Sequence, residues 1–167
     1  MKKRRSFESG HRRKFLLIID SSQEVEAALY YAASRVKHSG GSIVMLYVIE
    51  PQDFQHWVGV RQVQLEEETA KAKALFRLFR RKMNNDGFMD IATEEVISEG
   101  TKAEAIIEAI EADEDVAILI LGAAVDTNTG PGPLVSSLAA GTAAGKFPIP
   151  ITIVPGELTL KEILTLA

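Results

Sequence analysis

Four short stretches of the chain are apolar without interruption: 14–20 (KFLLIID), 42–50 (SIVMLYVIE), 116–122 (VAILILG) and 149–154 (IPITIV). Runs that do not alternate are apolar on both faces, as strands are when helices cover a sheet on both sides. A fifth stretch, 90–98 (DIATEEVIS), mixes polar and apolar positions and suits an edge strand. Between these runs the period lengthens. In 23–38, Val25, Leu29, Ala32, Ala33 and Val36 form one helical stripe. Ser21 with Glu24 reads as a capping box for that helix, and Gly40-Gly41 ends it. Residues 63–85 carry Leu75, Phe79 and Met83 on one face and stop at Asn84-Asn85-Asp86-Gly87. Thr101 with Glu104 opens a helix over 102–112, and 133–146 is small-residue and helical in pattern. Residues 157–167 form a last amphipathic piece.

Strand and helix therefore alternate, which predicts parallel strands joined by right-handed crossovers. The fold class is α/β: a doubly wound, five-stranded parallel sheet with helices on both faces. The expected organisation is a flexible basic arm (1–13), one α/β domain (14–156) and a C-terminal amphipathic tail (157–167). Two connections exceed what a crossover needs, 51–62 and 123–132, and long loops in compact domains are often functional.

Charge changes the picture at one end only. The net charge is −4, yet the first fourteen residues hold seven Lys or Arg against Glu8, leaving about −10 on the rest. A nucleic-acid-binding domain would carry positive charge on its folded face. Here only the arm offers it, for weak phosphate contacts. The basic start and the five apolar residues 15–19 imitate a secretory signal, but a signal core is longer. No stretch approaches the ~20 apolar residues of a membrane span. The sequence reads as cytoplasmic. With no cysteine, disulfides, thiolate metal sites and thiol nucleophiles are excluded.

Open α/β sheets take ligands beyond the carboxyl ends of their strands, where strand order reverses. Asp20-Ser21-Ser22, Val48 and Gly122 fall at such ends, and Gly130-Pro131-Gly132-Pro133 and Gly141-Thr142 follow. Glycines before a helix let backbone N–H groups approach phosphate oxygens, and the helix dipole favours the anion. Ser136, Ser137 and Thr142 would add hydroxyls, and Asp20 would accept from a ribose hydroxyl or hold a metal ion through water. Read alone, the glycines equally suit a stiff turn.

Other chemistry is thin. His11, His38 and His56 have no metal-ligand spacing, and no Ser-His-Asp set or nucleophile elbow can be assembled. Phe54, His56 and Trp57 give the 51–62 loop an aromatic patch that would close the core, lid a ligand or form a partner surface. Arg77, Arg80, Arg81 and Lys82 read as a solvated face near a helix end.

The order of these pieces resembles the universal stress protein family. The carriers are the strand ending in Asp20, the Ser21-Ser22 turn, the Ala-rich helix, the strand ending Val48-Ile49-Glu50, and Glu99-Gly100 before a capped helix. LVSSLAAGTAAGKFPIPITIVPG resembles the family's Gly-Ser/Thr helix and Pro-rich entry to strand five. The resemblance covers about residues 14–156. It implies strand order 3-2-1-4-5, a homodimer and, in nucleotide-binding members, ATP with or without Mg²⁺ held by Gly-x-x-Gly, nine residues, then Gly-Ser/Thr. Gly141-Thr142 matches the last pair; ten residues back stands Pro131, between Gly130 and Gly132, so the motif is present in composition but out of register. The implied site is Asp20, Ser21 and Ser22 on ribose and phosphates, Val48 on adenine, and Gly122, Gly130, Gly132, Gly141 and Thr142 around phosphates. The implied activity is stress-response regulation, with at most slow ATP hydrolysis because no general base or transition-state arginine is evident. The expected dimer pairs strand 149–154 with its copy, with the tail extending the interface to a second chain; protein partners are not named by the sequence. The rival is a dimeric interaction protein of the same fold that binds no nucleotide.

Overall fold

The computed structural model describes residues 2–51, 58–126 and 130–167, and the backbone alone of Val58. Phe54, His56 and Trp57 lie outside the described residues. Five strands run in parallel: β1 (Lys14–Ile18), β2 (Ser42–Ile49), β3 (Thr93–Glu99), β4 (Val116–Ala123) and β5 (Ile151–Pro155). Their order is β3-β2-β1-β4-β5, as expected. The helices are α1 (Val25–Ser39), α2 (Val58–Asn85), α3 (Lys102–Ala112) and α4 (Leu160–Leu166).

The topology fixes which face each helix covers. From β1 to β3 the chain steps one way across the sheet, and from β3 to β5 it steps back past β1. Right-handed crossovers in opposite directions put their helices on opposite faces. Accordingly Phe15, Leu17 and Ile19 pack with α1, α2 and Ile163 of α4. Leu16 and Ile18 pack on the other face with Ile106 and Ile110 of α3 and with Val135 and Leu138. Every residue of β2 is buried, which is why its sequence does not alternate. β3 is an edge with Glu94 and Glu95 exposed, paired to Lys14 (2.7 Å) and to Arg80. Among the described residues no helix is long and apolar enough to cross a membrane.

Several local expectations change. Ser21 and Glu24 form no capping box: α1 begins at Val25 with Glu24 itself as the N-cap, without a side-chain hydrogen bond, so Ser21 stands three residues ahead of the cap position. The Thr101 hydroxyl accepts from Glu104 N, and the complete capping box joins Thr159 and Glu162. The helix expected over 133–146 breaks into a π-helical turn (Val135–Ala139) and a 3₁₀ turn (Ala144–Lys146). Gly141 and Gly145 weaken a continuous helix by about 1 kcal/mol each relative to alanine. β5 begins two residues later than its apolar run, behind Pro148 and Pro150.

The segment read from sequence as a solvated arm touches the body. Arg4 Nη1 donates to the carbonyls of Ile110 (2.6 Å) and Asp113 (2.9 Å). Arg5 N bonds Glu114 O at 2.9 Å, Ser6 is buried, and His11 Nδ1 lies 2.7 Å from Asp115. The carbonyls that close a helix have no partner within it, and a cation there also suits the dipole, so Arg4 answers a need at the end of α3. Lys2, Lys3 and Arg12 remain exposed.

Candidate functional site

The carboxyl ends of β1 and β4 are neighbours from which the chain departs to opposite faces, so they flank an opening that no crossover covers. A cleft lies there, walled by Asp20 and Ser22 after β1, Gly122 of β4, the 131–135 turn and Lys102 at the start of α3. It is narrow, with about 50 Å³ of free space. Small-molecule pockets run to roughly 300–1,000 Å³, so a nucleotide would need the 131–135 turn to move outward. A second compartment of about 190 Å³ lies beside it, lined by Ile19, Tyr47, Val48, Glu50, Gln64 and Glu68. Asp20 and Lys102 belong to the walls of both.

Asp20 is held firmly on one side and loosely on the other. Its Oδ1 accepts from Ser22 N at 2.8 Å and from the Ser22 hydroxyl. Its Oδ2 faces Lys102 Nζ at 3.4 Å, longer than the 2.7–2.9 Å usual for such a pair. Both side chains are about 30% exposed, at 30% and 29%. At the back of the second compartment the Tyr47 hydroxyl donates to Glu68 at 2.6 Å. Burial pushes the Tyr47 phenol well above its ordinary range, and the Glu68 carboxylate reinforces the shift.

The remaining sequence-derived residues divide. Val48 is buried with its edge on the second compartment, and Gly132 lies in the wall of the first. Ser21, Gly130, Gly141 and Thr142 stand outside both walls, and Ser21 and Thr142 are exposed. The Ser137 hydroxyl turns back to Leu134 O at 3.4 Å. Backbone requirements account for the glycines. Gly130 and Gly132 have φ of +76° and +102°, the left-handed region that side chains resist. At Gly122 and Gly141 a β-carbon would collide with the backbone carbonyls of Glu24 and Ser137. Sequence reasoning missed Lys102: only the sheet order, which sets β1 and β4 side by side with α3 covering one face, brings it to Asp20. One signal was available, a lysine at the start of a helix, where the dipole disfavours a cation.

A parallel sheet of order 3-2-1-4-5, with a cleft where its order reverses, defines a doubly wound α/β domain. Residues 11–155 match the model of the universal stress protein family, and the chain belongs to that family. No curated protein matches it. Its fold is similar to that of the universal stress protein UspA from Lactobacillus plantarum, at 17% identity and a TM-score of 0.65, over 85% of this chain and 97% of that one. A universal stress protein from Archaeoglobus fulgidus is similar at 14% identity and a TM-score of 0.62, over 90% and 98% of the two chains. A universal stress protein in complex with cAMP is similar at 18% identity and a TM-score of 0.56, over 85% and 96%.

Proposed function

We propose that this universal stress protein binds an adenine nucleotide, ATP with or without Mg²⁺, in the cleft between β1 and β4. It would act in the cytoplasm as a regulatory module of the stress response rather than as a turnover enzyme. The observation that carries the reading is the convergence of Asp20, Val48 and Gly132 on two adjoining compartments at the switch point. A ribose fits Asp20, which accepts from hydroxyls; adenine fits the apolar side of the compartment with Ile19 and Val48; phosphates fit the Gly132 turn. A relative of similar fold solved with cAMP supports an adenine ligand.

The module would work as a homodimer through β5. Ile153 on that edge is 42% exposed, and Leu164 and Leu166 of the following helix are 46% and 63% exposed. An apolar edge strand invites pairing with a copy about a two-fold axis.

Calorimetric titration of Mg-ATP into the wild type and Asp20→Ala tests the nucleotide. Binding near one per chain, weakened about tenfold or more by loss of the acceptor, is expected. Absence of heat up to millimolar ATP would favour the nucleotide-free interaction protein.

A further inference from the structure

We propose that Lys102 makes the cleft select phosphorylated ligands, by exchanging the Asp20 carboxylate for a ligand phosphate. This rests on the adenine-nucleotide reading above and adds to it a residue and a preference.

The charge around the cleft is the first support. Asp20 and Glu24 border the first compartment, and Asp20, Glu50 and Glu68 the second. For a polyphosphate entering past those carboxylates, the Lys102 ammonium is the one side-chain cation among the described residues of either wall. Position is the second support. Lys102 is the first residue of α3, where the helix dipole favours anions, and it carries the opposite sign. A side chain placed against its local preference is expected where a site requires it.

The geometry of the pair explains how one residue discriminates. Asp20 Oδ1 is committed to Ser22, which fixes the carboxylate. Oδ2 has Lys102 at 3.4 Å, a long contact that a dianionic or more highly charged phosphate would outcompete. When the ammonium swings to the phosphate, Oδ2 is left free for a ribose hydroxyl. A phosphorylated nucleoside thus gains two contacts for one broken pair. An unphosphorylated nucleoside offers the ammonium no anion in exchange, so its ribose either shares Oδ2 with Lys102 or breaks the pair without compensation. Phosphate recognition and ribose recognition are coupled through the same carboxylate.

The test compares ATP with adenosine, each titrated by calorimetry in Mg²⁺ buffer into wild type, Lys102→Met, Lys102→Gln and Lys102→Arg. Melting temperatures check that each variant is folded; Met and Gln remove the charge by different chemistry, so one unstable variant does not decide the result. Lys102→Met and Lys102→Gln should lower the ratio of ATP to adenosine affinity by about tenfold, the size of one charge-assisted hydrogen bond, while Lys102→Arg keeps most of it. A purely structural lysine would change both affinities together. Wild-type ATP binding with the ratio unchanged in the Met and Gln variants overturns the role of Lys102 and leaves the nucleotide reading standing. Binding of neither ligand by the wild type overturns both.

Discussion

The backbone of Gly122 in β4 lies so close to that of Glu24 at the start of α1 that a β-carbon at 122 would come within 3.0 Å of the Glu24 carbonyl oxygen. Gly156 makes a similar approach, within 3.0 Å of the Glu24 β-carbon. Helix α1 therefore enters over the end of β4 through a gap that only glycine leaves open. Gly122→Ala must push the helix start away from the sheet and should cost about 2–3 kcal/mol, as overpacking of a filled site does. Urea unfolding of the variant measures this; a change under ~0.5 kcal/mol would mean that the helix start yields freely.

The N-terminal segment should contribute to stability despite its charge. Arg4 Nη1 serves the Ile110 and Asp113 carbonyls at the end of α3. Loss of charged donors to partly buried acceptors costs about 1–3 kcal/mol. For a chain of this size each kcal/mol corresponds to roughly 2–4 °C, so Arg4→Ala should lower the melting temperature by several degrees. Deletion of residues 2–10 should lower it at least as far. An unchanged melting temperature in both would return the segment to the solvated arm that its composition suggests.

Alkaline pH should weaken the fold through two tyrosines. Burial raises Tyr30 and Tyr47 above the ordinary phenol range, helped by hydrogen bonds to Asp86 and Glu68. A group whose folded pKa lies above its unfolded value favours the native state at every pH below the unfolded one, about 10 for tyrosine. That contribution is lost as pH rises above about 10 toward the folded value. Denaturation midpoints followed from pH 8 to 11 should fall at the upper end, and Tyr30→Phe with Tyr47→Phe should flatten the fall. A wild-type profile as flat as that of the double variant would contradict this.

Self-association is tested at the β5 edge. Sedimentation of the wild type at tens of micromolar should show a dimer, and Ile153→Lys, at a position 42% exposed, should give a folded monomer. A monomeric wild type, or a mutant that stays dimeric, removes β5 from the interface.

The strands were legible where both faces are buried. β1, β2 and β4 came through as uninterrupted apolar runs because helices or turns cover the sheet on each side. Asp20 was legible because an acid closing such a run stands at a carboxyl end. Other features depended on distance in space. The small residues of 133–146 carry a helical period, but Gly141 sits against the Ser137 carbonyl and the segment turns instead. α2 begins at Val58 rather than at 63, because residues 59–63 are exposed and show no apolar stripe. Lys102 is 82 residues from Asp20, and nothing local links them. The glycines are legible, and at 130 and 132 the turn reading matches their positive φ; the backbone crowding at 122 and 141 depends on distance in space and is not legible.

The break in the crossover between β4 and β5 has a kinetic consequence. A π-helical turn and a 3₁₀ turn hold fewer well-formed backbone bonds than an α-helix of the same span, and neither propagates far. Amide protons of residues 134–146 should exchange with solvent well ahead of those in the strands, through openings that leave the sheet intact. The wall of the first compartment would then open and close as a small cooperative unit of its own, while β1 and β4 keep Asp20 in place. Slower exchange confined to that unit is the trace that an occupant of the cleft would leave.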